Sequence, residues 1–272
     1  MDKSESTVFH PVGVFKESLS VWSRNLIFVV ALNCVNIFLV RILQLSKAMS
    51  GSMQASWINT GLSILYGLEY VAVLILTSFV SLIILQYLKP SGGGRVSFAD
   101  AFDEARRGII PYLKAFFLLL VFFVGVSLVA FIILVAGDTF YGRHGLRGFN
   151  MAALLTTSTV FVVLVIAACW YTFFYSLSPL VGAYEKKDTL ACLRSSRLRV
   201  RGNALRYAAA LFLCLIFYVV TGLILYFIVS HLTARRLVLN MIDPVMATLF
   251  GPLWLAVWKT SYERLTALKI AS

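Results

Sequence analysis

The residues best suited to chemistry are arginines in a basic segment between two long apolar stretches. On a helix, Arg194, Arg197 and Arg201 fall within a narrow sector that borders an apolar stripe of Leu193 and Val200. Guanidinium groups beside such a stripe suit anionic lipid headgroups, with about 1 kcal/mol of attraction per basic residue. The spacing therefore predicts an anionic-lipid site at these three arginines. The alternative is a plain orientation signal for membrane insertion, with no binding site.

Glu69 is the only acidic residue deep inside an apolar stretch. An acid in such a position is a functional hypothesis by default, because a carboxyl group in lipid needs a partner. Counted from the ends of the predicted spans, its depth matches that of Asn33 and Asn36, which predicts an intramembrane polar cluster of Glu69, Asn33 and Asn36. The alternative is that residues 70–88 span the membrane alone, which leaves Glu69 in the outer interface.

These residues are carried by six apolar stretches, each long enough to cross a hydrocarbon core that takes about 20 helical residues. Apolar residues make up 60% of the 272 residues and charged residues only 13%, whereas a soluble domain carries about 25% charged residues. The sequence therefore predicts an all-α fold, a polytopic transmembrane bundle of about six spans in a single integral membrane domain over residues 1–272. The predicted spans are Asn25–Leu43, Thr60–Leu88, Leu113–Ala136, Met151–Leu180, Tyr207–Ser230 and Pro244–Tyr262.

The basic residues predict the orientation of these spans. If both termini are cytoplasmic, eighteen of the 24 Lys and Arg residues lie on the inner side and six on the outer side. The positive-inside rule then favours cytoplasmic termini. The net charge of +12 flanks the apolar stretches, so it favours a membrane surface over nucleic acid, and no nucleic-acid partner is expected.

A short amphipathic segment precedes each pair of predicted spans. This pattern predicts three repeats of an interfacial helix plus a transmembrane hairpin, although convergent topology explains it almost as well. In the second segment, Ser97 and Asp100 predict a capping box. The residues that share a face are Val12, Phe15, Leu19 and Trp22 in the first segment, Phe98, Ala101, Phe102, Ala105 and Ile109 in the second, and Leu190, Leu193 and Val200 in the third.

The sequence contains no zinc pattern, nucleophile elbow, phosphate loop or dinucleotide fingerprint. No metal, cofactor or enzymatic activity is therefore expected. The leading hypothesis is a non-enzymatic membrane protein that organises lipids or partner proteins at the inner leaflet. One alternative is a small transporter or channel subunit, motivated by Glu69, the two asparagines and a kink predicted at Gly251 and Pro252. The other is a membrane-embedded lipid enzyme, motivated only by location. The expected partners are membrane lipids and other membrane proteins.

The stretch from Ser178 to Asn203 resembles a family of bacterial six-span membrane proteins. The family comprises the membrane domain attached to some glycerophosphodiester phosphodiesterases and related stand-alone proteins of uncharacterised function. The resemblance implies a location in the bacterial inner membrane. It implies no phosphodiesterase activity, because the catalytic domain of those enzymes is missing here. The matching residues are Pro179, Glu185, Leu190-Ala191, Arg194-Ser195 and Gly202-Asn203, and Ser97 to Phe102 resembles the family's other interfacial helix.

Overall fold

The computed structural model describes residues 8–50, 56–88, 97–143, 149–232 and 242–271, and all regular secondary structure in these ranges is helical. The predicted all-α fold is confirmed. Long apolar stretches fold in this way because a helix satisfies the backbone N–H and C=O groups internally, which lipid cannot do. The nine helices in the described ranges are α1 (Pro11–Arg24), α2 (Leu26–Ser50), α3 (Ser56–Tyr87), α4 (Phe98–Arg143), α5 (Phe149–Tyr175), α6 (Ser178–Glu185), α7 (Thr189–Arg201), α8 (Ala204–Leu232) and α9 (Ile242–Ala271).

The described part of the chain contains four segments that are long and apolar enough to cross a membrane, or five if one bent pair of helices is counted, which is consistent with a multi-pass membrane protein. The count of about six spans stays a prediction. A fifth span results if α1 is counted together with Leu26–Arg41, to which it is bent by 87°. The four segments that are long and apolar enough to cross a membrane are Leu68–Tyr87, Phe98–Ile133, Leu155–Glu185 and Ala204–His231.

The predicted last span, Pro244–Tyr262, lies in α9 and is not among these four. The helix α9 is less apolar than the helices that contain these four segments, and it contacts α1, α2, α3 and α8. Lys259, Thr260 and Ser261 are all buried, and three consecutive helical positions point in three different directions, about 100° apart. Protein therefore surrounds α9 at this level, so its side chains need not be as apolar as those that face lipid.

The chain divides into two compact units. The first contains Met1–Ile110 and Gly202–Ser272, and the second contains Pro111–Arg201. In the first unit, α9 packs at the centre of its neighbours, and in the second, α7 packs against α5 and α6. The prediction of a single domain stays a prediction. One apolar cluster of the first unit consists of Val21, Val29, Ile84, Leu88 and Ala256.

The three predicted amphipathic segments are all helical, but they join their spans differently. α1 is set off by the 87° bend, the second segment runs without a break into the rest of α4, and α7 ends in a turn at Gly202 and Asn203. At the start of α4, the Ser97 hydroxyl accepts a hydrogen bond from the Asp100 N–H at 3.1 Å and donates one to its carboxylate at 2.6 Å. The capping predicted for these two residues is confirmed.

Candidate functional site

One face of α7 anchors this helix in the second unit. α6 ends at Glu185, and Lys186 then adopts a left-handed backbone conformation with φ of 51° before α7 begins. Ser196 donates a hydrogen bond from its hydroxyl to the Phe174 carbonyl at 3.0 Å. That carbonyl lies in the last turn of α5, where carbonyl groups have no helical donor. The buried residues of α7 are Cys192, Leu193, Ser195, Ser196, Arg199 and Val200.

The opposite face of α7 is exposed and combines positive charge with apolar groups. Arg194, Arg197 and Arg201 all lie on it. So do Leu190 and Leu198, whose relative exposures are 66% and 60%. With 3.6 residues per turn, these five side chains fall within a sector of about 100°. The prediction that Leu190 shares the apolar stripe of α7 is wrong, because it lies one turn before Arg194 on the exposed side.

This exposed face has the chemistry of a helix that lies in the membrane interface. Guanidinium groups can bind phosphate oxygens with two parallel hydrogen bonds. Exposed leucines beside them can enter the boundary between headgroups and acyl chains, as apolar faces of interfacial helices do. The α7 face therefore combines groups whose chemistry suits an anionic headgroup and the first part of an acyl chain.

Arg199 differs from the other arginines of α7, because its side chain is only 4% exposed and forms an ion pair with Glu185. Lys187 pairs with the other oxygen of the same carboxylate at 2.6 Å. The Cys192 thiol donates to the Lys187 carbonyl at 3.3 Å, and burial raises the pKa of this thiol, which favours its neutral form. These contacts fix the corner between α6 and α7 and so hold the exposed face in position.

The role of Arg199 was missed in the sequence, although its position contained a signal. On a helix it lies about 140° from Arg194, outside the sector of the three exposed arginines. A basic residue on the buried side of an amphipathic helix needs an acidic partner. The acidic residues nearest to Arg199 in the sequence are Asp188 and Glu185, and the structure pairs it with Glu185.

Asn33 contacts α9 rather than the predicted polar cluster. Pro252 lies inside α9 and has no N–H, so the Thr248 carbonyl four residues earlier lacks its helical donor. Asn33 Nδ2 donates to this carbonyl at 3.1 Å and to the Ala247 carbonyl at 2.9 Å. The Asn33 amide therefore satisfies a backbone group that the proline leaves without a partner.

A second side chain completes this arrangement. Trp22 Nε1 donates to the Leu249 carbonyl at 3.1 Å, one residue beyond the carbonyl freed by the proline. Gly251 makes room for the asparagine, because a Cβ atom added there would lie 3.0 Å from Asn33 Nδ2. Trp22 of α1 and Asn33 of α2 thus both donate hydrogen bonds to the α9 backbone just before Pro252.

Asn36 and Glu69 lie at different levels of the α2–α3 pair. Asn36 Nδ2 is 3.4 Å from Ser81 Oγ, and Glu69 precedes Ser81 on α3 by twelve residues, or about 18 Å along a helix axis. The structure therefore does not bring Glu69, Asn33 and Asn36 together. The predicted depths were counted from span ends at Leu43 and Thr60, whereas α2 extends to Ser50 and α3 begins at Ser56.

Among the described residues, no three His, Cys, Asp or Glu side chains are grouped so that they could hold a metal ion. Comparisons of the chain with protein-family models, with curated proteins and with solved structures find no match. The family resemblance of residues 178–203 stays a prediction. The exposed face of α7 is therefore the strongest candidate site, on the basis of its geometry and charge.

Proposed function

We propose that this integral membrane protein binds anionic lipid headgroups through the exposed face of α7. In this way it would organise lipids or partner proteins at the inner leaflet, without enzymatic activity. The observation that carries the proposal is the presence of Arg194, Arg197 and Arg201 on the same exposed face as Leu190 and Leu198. An orientation signal requires only the positive charges, whereas the two exposed leucines suit a helix that lies in the interface.

The proposal includes a location in the bacterial inner membrane, with both termini in the cytoplasm. The distribution of Lys and Arg along the chain supports this orientation. The resemblance of residues 178–203 to the bacterial six-span family supports the location. Under this topology, α7 lies on the cytoplasmic side, where the leaflet carries a negative surface potential that attracts basic segments.

The three arginines would strengthen lipid binding by roughly 3 kcal/mol at low salt, which is about a hundredfold in affinity. The attraction should weaken as salt rises, because exposed charges are screened over about 8 Å at physiological ionic strength. The leucines add an apolar contribution that salt does not screen. Binding should therefore fall with increasing salt but should not vanish.

The proposal is tested with a variant in which Arg194, Arg197 and Arg201 are all replaced by Gln. This replacement removes the three positive charges and keeps the side chains polar. A control variant removes the same charge from three exposed basic residues of α4: Arg106, Arg107 and Lys114. Both proteins are purified in mild detergent after their topology has been verified by cysteine labelling. The measurement is the anionic lipid that co-purifies with each, quantified by mass spectrometry.

We expect the α7 variant to lose bound anionic lipid while the α4 control keeps as much as wild type. If both correctly inserted variants retain the wild-type amount, α7 is not a lipid site and its charges serve only orientation. If both lose lipid equally, the attraction depends on net charge alone and the specific role of the α7 face is refuted.

A further inference from the structure

A groove of about 240 Å³ lies between α8 and α9 in the first unit. Its walls contain no charged side chain. The only polar side-chain groups are a thiol, a phenol hydroxyl and an indole N–H, all on largely apolar residues. The lining includes Cys214, Leu215 and Tyr218 from α8, and Phe250, Leu253 and Trp254 from α9.

The groove lies at the depth of the lipid acyl chains. Cys214 and Tyr218 follow the first residue of α8 by ten and fourteen positions, or about 15 and 21 Å along the helix axis. The hydrocarbon core of a membrane is about 30 Å thick, so a span of this length places the groove near its middle. Lipid tails are the solvent at that depth.

The groove has a covered floor and an open side. Cys214 and Leu253 are buried at 3% and 1% exposure, whereas Leu215 and Trp254 are 47% and 43% exposed. The open side therefore faces outward from the packed helices. Since α8 contains one of the four segments that are long and apolar enough to cross a membrane, hydrocarbon chains can reach the groove without passing through the protein.

Contacts behind the groove make it preformed. The Phe250 ring packs against Trp22 and Phe217, with centroid distances of 5.6 and 5.7 Å. The α9 backbone at this level is also held by the hydrogen bonds from Trp22 and Asn33. A groove with rigid walls binds an apolar ligand well, because little ordering of the protein is needed.

We propose that this groove binds one acyl chain of a membrane phospholipid. An apolar cavity of about 150 Å³ is large enough to hold benzene, so the larger volume of the groove accommodates a run of methylene groups. A partner helix does not fit in it, because a helix with its side chains is about 10–12 Å across. The site does not depend on the headgroup binding proposed for α7, because no charged residue lines it.

The first test uses the wild-type chain in phosphatidylcholine vesicles that contain a phosphatidylcholine with a photoreactive diazirine in the middle of one acyl chain. We expect irradiation to label peptides that contain Cys214–Tyr218 of α8 and Phe250–Trp254 of α9 more strongly than peptides from the other parts of α8. Uniform labelling along the lipid-facing surface of α8 would refute the proposal. The zwitterionic headgroup keeps this result separate from any effect of the basic face of α7.

The second test fills the groove by the replacement Leu215→Trp. The matched control is Leu223→Trp, on the same helix at a position that is 63% exposed and outside the groove. Native mass spectrometry in mild detergent counts the phosphatidylcholine molecules that each protein retains. We expect wild type and the control to retain one more lipid than the groove-filled variant. Equal retention by all three proteins, or no retained lipid on wild type, would overturn the proposal.

Discussion

The hydrogen bonds from Asn33 to α9 should contribute measurably to the stability of the first unit. The replacement Asn33→Leu keeps the size of the side chain but removes both donors. The Thr248 carbonyl then has neither its helical donor, which Pro252 cannot supply, nor the asparagine. An unsatisfied buried group costs about 1–3 kcal/mol, and hydrogen bonds between membrane helices average about 0.6 kcal/mol. We expect the free energy of unfolding to fall by about 1–2 kcal/mol.

A second replacement isolates the cause of this loss. Pro252→Ala restores a backbone N–H four residues after Thr248, so the carbonyl regains a helical donor without Asn33. In that background, Asn33→Leu should cost about 1 kcal/mol less than in wild type, which is the coupling energy of a double-mutant cycle. The effect of Pro252→Ala alone on stability does not test the contact, because the contact is measured by the difference between the two backgrounds.

The four proteins of the cycle are compared by reversible unfolding in mixed micelles with increasing denaturing detergent. Asn36→Leu is the matched control, because Asn36 contacts Ser81 on α3 and not the proline region of α9. Its cost should be the same with Pro252 or alanine. If Asn33→Leu also costs the same in both backgrounds, the asparagine does not satisfy the carbonyl that the proline leaves without a helical donor.

Two further predictions concern the second unit. Gly182→Ala should destabilise this unit by about 1–3 kcal/mol, because the added Cβ would lie 2.8 Å from the backbone oxygen of Pro111. Gly125→Ala is the control and should leave the melting temperature unchanged or raise it, because a Cβ added there would meet no atom within 4 Å beyond the adjacent backbone of its own helix. Arg199→Gln should lower the free energy of unfolding by about 1–3 kcal/mol, since the partly buried Glu185 carboxylate loses the cation on one of its two oxygens. Arg201→Gln on the exposed face should change the free energy of unfolding by less than about 0.5 kcal/mol. An equal effect of both arginine replacements in detergent unfolding would contradict the role of the buried ion pair.

Local features of the chain could be predicted from the sequence because they depend on spacing alone. The length and apolarity of the stretches predicted helices, and a helix has a fixed period of 3.6 residues. The common sector of Arg194, Arg197 and Arg201 follows from that period, as does the position of Arg199 outside it. The capping of α4 by Ser97 and Asp100 also lies within four residues and needs no tertiary information.

The tertiary structure decided which helix faces meet protein and which meet lipid. Lipid tails and the interior of a helical bundle are both apolar, so hydropathy does not distinguish them. Leu190 therefore could not be separated from the buried stripe of α7 by its residue type. For the same reason, the sequence did not predict that α9 packs among its neighbours with Lys259 buried.

The partners of the polar groups in the spans also required the tertiary structure. The sequence contains both Asn33 and Pro252, but they lie 219 positions apart, and no local pattern connects the asparagine with the carbonyl that the proline frees. Equal depth suggested Glu69 as a partner, whereas helix packing brings α9 to Asn33 and Ser81 to Asn36. A polar side chain in lipid must find a partner, but only packing determines which one, because the helices contribute candidates from all parts of the chain.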